Sequence, residues 1–396
     1  MRPLNRVFLL VMDGMGVGAA PDAERFGDTH ANTFANCARA VGGLSLPHLE
    51  RLGLGRIIPI EGIAPVEAPL ASFGKMAERS PGKDTTTGHW EMCGQVLDHA
   101  FPVFPEFPPD IMDAFERETG RGWLGNHAAS GTEILDRLGP EHLATGKWIV
   151  YTSGDSVFQI AAHVDVVPLE ELYSACKLAR RLLDPLHVGR VIARPFQGQP
   201  GAFERIQSAR HDYSVPPKGP TLLDHVVASG REVIGIGKIH DIFVGQGVSH
   251  SLPTGSNAEG LEVTLRMIHE APAGSLVFNN LVDFDSRYGH RNDPAGMARC
   301  LTEFDAALGE ILTAMRPDDL LMLTADHGNE ATDVSTDHTR EFVPILAHMP
   351  GVPGRDLGIR TGFGDLAATV AEAWQLEGEL VGTSFWQALH GLVPAA

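Results

Sequence analysis

The chain has 396 residues, 43% of them hydrophobic, which is enough for two or three domains around a large core. Its formal net charge of −19 excludes a nucleic-acid partner, because phosphate backbones are held by clustered Lys and Arg. No apolar run approaches the roughly 20 residues of a membrane helix, and the short VFLLVM run meets Asp13-Gly14 at once, so neither a membrane partner nor a secretory leader is expected.

The first predicted element is a strand over 6–12, an unbroken apolar run ending at Asp13. Next comes GKDTTTGHWEMCG over 82–94, with Cys93 inside it. Three β-branched residues in a row suit an edge strand. The flanking glycines and the preceding Asp84 favour a loop that opens a helix. The hydroxyls are candidate nucleophiles, and spacing does not choose among Thr85, Thr86 and Thr87.

HAFPVFPEFPPD, over 99–110, holds four prolines in twelve residues and departs from the strand–helix alternation. A strand over 148–151 then runs into Thr152-Ser153-Gly154-Asp155, and a helix opens at Pro168-Leu169-Glu170-Glu171. A basic, glycine-broken stretch leads on to Pro217. We read 101–216 as an inserted domain bounded by proline, between core segments 1–100 and 217–396. In the second segment, strands over 232–236, 276–282 and 320–324 end at Gly237-Lys238, Asp283 and Ala325-Asp326-His327. Between the last two, Asp293-Pro294 caps a helix whose Met297, Leu301, Phe304, Leu308, Ile311 and Met315 share one face. Near-continuous apolar strands alternating with helices predict an α/β fold around a largely parallel sheet.

Ligands of such sheets lie beyond the carboxyl ends of the strands. Asp13, the Asp283/Asp285 pair and Asp326-His327 fall there on three separate strands, while DFDSRYGHRND adds His290 and STDHTREF adds Asp337 and His338. Carboxylates and imidazoles without Cys suit divalent Mn, Mg or Zn. The four cysteines (Cys37, Cys93, Cys176, Cys300) are scattered without a CxxC, so reduced thiols and a cytoplasmic setting are expected. Two cations roughly 3.5–4 Å apart clamp the attacking and leaving oxygens of an in-line phosphoryl transfer. One threonine hydroxyl, a poor nucleophile unaided, then has a means of activation.

VMDGMGVGAAPDA, GKDTTTGHWE, YTSGDSVFQIAAH, RPF with RHDY, GIGKIHDIF, the YGHR loop and ADHGN with TDHTRE together resemble the prokaryotic phosphopentomutases of the alkaline-phosphatase superfamily, almost from end to end. The resemblance implies an alkaline-phosphatase-like core with an inserted α/β cap over 101–216. It implies Thr85 as the phosphorylated nucleophile, one ion at Asp13, Asp326 and His327, and another at Asp285, His290 and His338. Asp285 is preferred over Asp283 because the family ligand lies three residues before the Tyr-Gly pair. Two divalent cations, Mn2+ foremost, and a sugar bisphosphate activator such as glucose 1,6-bisphosphate are expected. Ser153 and Asp155 would face the sugar, with Arg194, Arg210 and Lys238 on the phosphate remote from the ions. Where the family carries an acid after AAH, this chain has Val164.

The implied reaction interconverts α-D-ribose 1-phosphate, or its 2-deoxy form, with the 5-phosphate through a phosphothreonine and a 1,5-bisphosphate. Pentose phosphates are the implied partners, and no protein partner is implied. The rivals are a metal-dependent phosphatase or a phosphoglycerate mutase on the same core, the latter expected to use serine. A metal-binding protein without catalysis would have no need of Thr85.

Overall fold

A computed structural model describes residues 4–153 and 156–392. The chain forms two compact units, Met1–His99 with Pro217–Ala396, and Ala100–Pro216. Two strands precede the second unit, β1 (Arg6–Met12) and β2 (Ser72–Met76). Within it lie β3 (Trp123–Ala128), β4 (Trp148–Thr152), β5 (Val157–His163), β6 (Arg190–Gln199), β7 (Ala202–Arg205) and β8 (His211–Ser214). The first unit resumes with β9 (Val233–Ile236), β10 (His250–Leu252) and β11 (Leu276–Leu281). It ends with β12 (Asp319–Thr324), β13 (Val343–His348) and β14 (Asp356–Arg360).

The first unit's strands make one sheet in the order β10–β9–β11–β1–β12–β13–β2–β14. Neighbours are parallel except at β12–β13 and β13–β2, so β13 alone runs against the rest. Central β1 is buried along its whole length, which is why it reads as a continuous apolar run. Its one charge, Arg6, forks onto Asp319 at 2.9 and 2.7 Å and donates to the Ile268 carbonyl at 2.8 Å, so it enters the core fully partnered.

Because seven strands share a direction, their carboxyl ends line one edge of the sheet. Asp13 follows β1, Lys238 follows β9, Asp283 and Asp285 follow β11, and Asp326 and His327 follow β12. Residues 328–342 return from β12 to the start of β13 along that same edge. The helix Pro294–Ala314 opens with the Asp293 carboxylate accepting the Gly296 N–H and buries Met297, Leu301, Phe304, Leu308 and Ile311. Among the described residues no helix is long and apolar enough to cross a membrane.

The second unit has its own sheet, β3–β4–β5–β6–β7, with β8 also pairing to β6. Side chains alternate across β4: Trp148 and Val150 join a cluster with Phe115, Leu172 and Cys176, whereas Ile149 and Tyr151 join Ile134 and Leu135. Helices Pro109–Thr119 and Leu169–Leu183 therefore cover one face, and Glu133–Thr145 the other.

Candidate metal centre and nucleophile

The run of threonines opens the helix Thr85–Met92 and is not an edge strand. Asp84 sets the start: one carboxylate oxygen accepts the Thr87 N–H at 3.1 Å and the other accepts the Thr87 hydroxyl. Thr87 is thereby spent on the cap and buried. Thr85 is half-buried, with its hydroxyl oxygen 3.2 Å from His327 Nε2.

The loop before the helix is held from two sides. Glu91 accepts the N–H groups of Arg79 and Ser80 at 2.9 and 2.6 Å, and buried Arg340 donates to the carbonyls of Glu78, Ser80 and Gly82. Gly88 lets the helix rest directly on the loop after β12. A Cβ there would stand 2.2 Å from the Asp326 carbonyl oxygen.

Two groups of possible ligands meet at this edge. Donor atoms of Asp13, Asp326 and His327 lie within 4.8 Å of one another, as do those of Asp285, His327 and His338. His327 Nε2 is 3.5 Å from Asp13 Oδ1 and 3.3 Å from Asp326 Oδ2. His290 Nε2 and His338 Nε2 are each 3.3 Å from an Asp285 oxygen, and 3.2 Å from each other. The His327 and His338 rings stack at 3.9 Å, which joins the two groups.

The donor chemistry fits divalent cations. Asp13 Oδ1 and Asp326 Oδ2 are buried without a hydrogen-bond partner among the described residues, a costly state for carboxylate oxygens unless a cation meets them. Burial, then the nearby Asp326 and Asp285 carboxylates, push Asp13 well above the usual carboxylate range. At Asp285 burial acts the same way, but His338 and His290 prevail and hold it well below that range. Burial opposes ionisation of Asp326 too, and His327 with His89 overcomes it. Burial pushes His327 down, although Asp326 opposes the shift; that direction favours the neutral imidazole, whose lone pair can meet a cation.

Asp283, the alternative to Asp285, is engaged elsewhere: its carboxylate accepts the Asn257 N–H at 2.8 Å, at the start of Asn257–Glu270. Lys238 is exposed at the same edge as the ligand groups, and its ammonium acts on Asp13 in the direction of ionisation. Ser153, Arg194 and Arg210 belong to the second unit. Half-buried Arg194 donates to Gln159 at 3.1 Å, and Arg210 forks onto Asp212 at 2.8 and 2.7 Å. Asp155 lies outside the described residues.

Sequence reasoning missed three polar residues that hold the ligands. Asn280 donates to Asp13 Oδ2 at 2.8 Å, Asn329 donates to Asp285 Oδ1 at 2.7 Å, and His89 Nδ1 is 3.3 Å from Asp326 Oδ2. Signals existed for two of them. Asn279-Asn280 interrupts the apolar run of β11, and His89 is four residues, about one helical turn, from Thr85.

A family model described as the Metalloenzyme superfamily matches residues 5–378. The chain is 56% identical over 383 residues to a phosphopentomutase of Anaeromyxobacter dehalogenans (strain 2CP-C), covering 96% of this chain and 97% of that protein. It is 54% identical over 385 residues to a phosphopentomutase of Desulfitobacterium hafniense (strain DSM 10664 / DCB-2), covering 96% and 99%. Among solved structures, the PH0037 protein from Pyrococcus horikoshii aligns with 96% of this chain and 99% of its own, at a TM-score of 0.50 and 14% identity, a likeness of fold alone. On sequence identity along nearly its whole length, the chain belongs to the phosphopentomutase family, isomerases of the metalloenzyme (alkaline phosphatase) superfamily.

Proposed function

We propose that Thr85 is the phosphorylated nucleophile in the interconversion of α-D-ribose 1-phosphate, or its 2-deoxy form, with the 5-phosphate. Asp13, Asp326 and His327 would hold one divalent cation, and Asp285, His290 and His338 a second. Mn2+ suits this mixed oxygen and nitrogen set, and a sugar bisphosphate such as glucose 1,6-bisphosphate would prime the enzyme. When bound, the ions supply positive charge that lowers the pKa of the Thr85 hydroxyl and neutralises phosphoryl oxygens.

The chain's own residues do the rest. Phosphothreonine gives its phosphoryl group to the free hydroxyl of the sugar monophosphate. The sugar hydroxyl attacks phosphorus, the P–Oγ1 bond of Thr85 breaks, Oγ1 takes up the proton that the sugar hydroxyl gives up, and a 1,5-bisphosphate forms. After that intermediate reorients, Thr85 takes the other phosphoryl group and releases the isomer. The start of the Thr85–Met92 helix favours the phosphate through its dipole. Residues 101–216 would act as a cap; Ser153 and Asp155 would bind the sugar, and Arg194, Arg210 and Lys238 the phosphate remote from the ions. The cap excludes water between half-reactions, since water attack on phosphothreonine would leave a phosphatase.

One observation carries the reading: the Thr85 hydroxyl stands 3.2 Å from His327 Nε2, beside buried oxygens of Asp13 and Asp326 that have no hydrogen-bond partner among the described residues. The test is peptide mapping after priming, together with turnover of ribose 5-phosphate. Phosphate is expected on Thr85. Thr85→Ala should bind two ions yet lose turnover, and Thr86→Ala should keep measurable activity. Phosphate on Thr86 or Thr87 overturns the assignment, and phosphate release equal to sugar turnover overturns the mutase.

A further inference from the structure

We propose that His89 and Asn280 are positioning residues that join Asp13 to the peptide of Thr85 by a hydrogen-bonded path independent of the ions. This rests on the reading of Thr85 as nucleophile and Asp13 as ligand. The path has three links. Asn280 Nδ2 donates to Asp13 Oδ2 at 2.8 Å, Asn280 Nδ2 is 3.3 Å from His89 Nε2, and His89 Nδ1 is 2.8 Å from the Thr85 carbonyl oxygen.

The chemistry of the ends fixes the middle. Asp13 Oδ2 accepts from Asn280, so the amide turns its NH2 toward that carboxylate. The second N–H of that NH2 faces His89 Nε2, which is therefore the acceptor. The ring proton is then on Nδ1 and is donated to the Thr85 carbonyl. Asp326 Oδ2 is 3.3 Å from the same Nδ1, farther than the Thr85 carbonyl oxygen.

The ring is buried, lies against Phe278 of β11 at 5.8 Å and cannot turn freely. Asn280 is on β11, whose residue Leu281 pairs with Met12, the residue before Asp13. The first turn of the nucleophile helix is thus registered against the two central strands. Its position does not depend on the side chains of ligand loops alone.

The first test uses the unaltered protein. In 15N-histidine spectra of the Mg2+-loaded enzyme, His89 should show a protonated Nδ1 and a bare Nε2. The opposite tautomer overturns the proposal. The second test is kinetic. His89→Ala should lower kcat by about 10–100-fold, the usual effect of losing an outer-shell partner, with KM for ribose 5-phosphate unchanged. His89→Asn, which restores a donor near the Nδ1 position, should recover most of the loss. Asn280→Leu cuts the path at its other end and should give the same split between kcat and KM. Unchanged kcat in folded His89→Ala, or no recovery in His89→Asn, overturns the proposal. If the unaltered protein binds no Mn2+ or is never phosphorylated on Thr85, the functional reading falls and takes this one with it. Mn2+ binding and Thr85 phosphorylation that persist beside a negative His89 result remove the positioning path alone.

Discussion

Gly88→Ala adds one methyl group where the Thr85–Met92 helix rests on the loop after β12. The new Cβ would meet the Asp326 carbonyl oxygen at 2.2 Å and its carbonyl carbon at 2.9 Å. Ordinary contact begins at 3.4 Å, so helix and loop must part by about 1.2 Å. Most of the opposing atoms are backbone, and no rotamer change relieves them. Alanine favours a helix over glycine by about 1 kcal/mol, and overpacking costs about 1–3 kcal/mol. The two nearly offset, so the variant should fold with a loss of at most about 2 kcal/mol. Thr85 is three residues away on the same short helix and must shift with Gly88. A misplacement of about 1 Å costs roughly 100-fold in rate, and that is the expected fall in kcat. Turnover of ribose 5-phosphate, thermal melting and Mn2+ titration should be measured on one preparation. Near-wild-type turnover in that variant would refute the idea that this contact places the nucleophile.

Two further predictions concern stability. Val244 has φ of 53°, a left-handed conformation that penalises a β-branched residue, and its side chain is 46% exposed. Val244→Asn should therefore stabilise the first unit by about 1 kcal/mol in urea titrations; an unchanged or lower midpoint would show that the turn carries no strain. In the second unit, buried His142 donates from Nδ1 to the Lys147 carbonyl at 2.6 Å and accepts the His163 N–H on Nε2 at 2.9 Å. Burial lowers its pKa from 6.5, although the Lys147 carbonyl opposes the shift and His163 and Arg121 reinforce it. The unfolded chain therefore binds more protons below pH 6.5, and the contribution of His142 is complete above that value and lost as pH falls toward the folded pKa. Proteolysis within 100–216 should accelerate over that window, and a rate that stays flat would reject the neutral ring.

The parts of the fold legible in the sequence are those where local and global demands coincide. β1, β4, β11 and β12 are buried on both faces, so each appears as a largely apolar run, broken in β11 by Asn279-Asn280, and the acids just beyond three of them mark the edge where ligands gather. β2 (SFGKM), β13 (VPILAH) and β14 (DLGIR) gave no comparable signal, since glycine, proline or charge interrupts them and only neighbouring strands make them strands. The stretch read as basic and glycine-broken is β6, β7 and β8, whose turn glycines mimic a loop. Which threonine faces the ligand groups depends on Asp84, whose carboxylate reaches the third and leaves the first toward His327. His89 and Asn280 escaped notice because their partners lie 191 residues or more apart along the chain or in a helix not yet placed.

The pairing of β1 also constrains how the molecule comes into being. Val7 finds its neighbours in Leu276 and Leu320, so an N-terminal strand made almost wholly of Val, Leu, Phe and Met has no sheet to join until the last third of the chain has been synthesised. The sheet of the second unit draws every strand from within 100–216 and has no such wait. Synthesis proceeds from the N-terminus, and contacts this distant in sequence close slowly. During that interval RVFLLVM is a sticky, unpaired segment on the ribosome, and a chaperone that recognises short apolar stretches has an obvious client in it. Asp13, Asp285 and Asp326 come together only when β1, β11 and β12 align, so the ion-binding edge is among the last features of the nascent protein to exist.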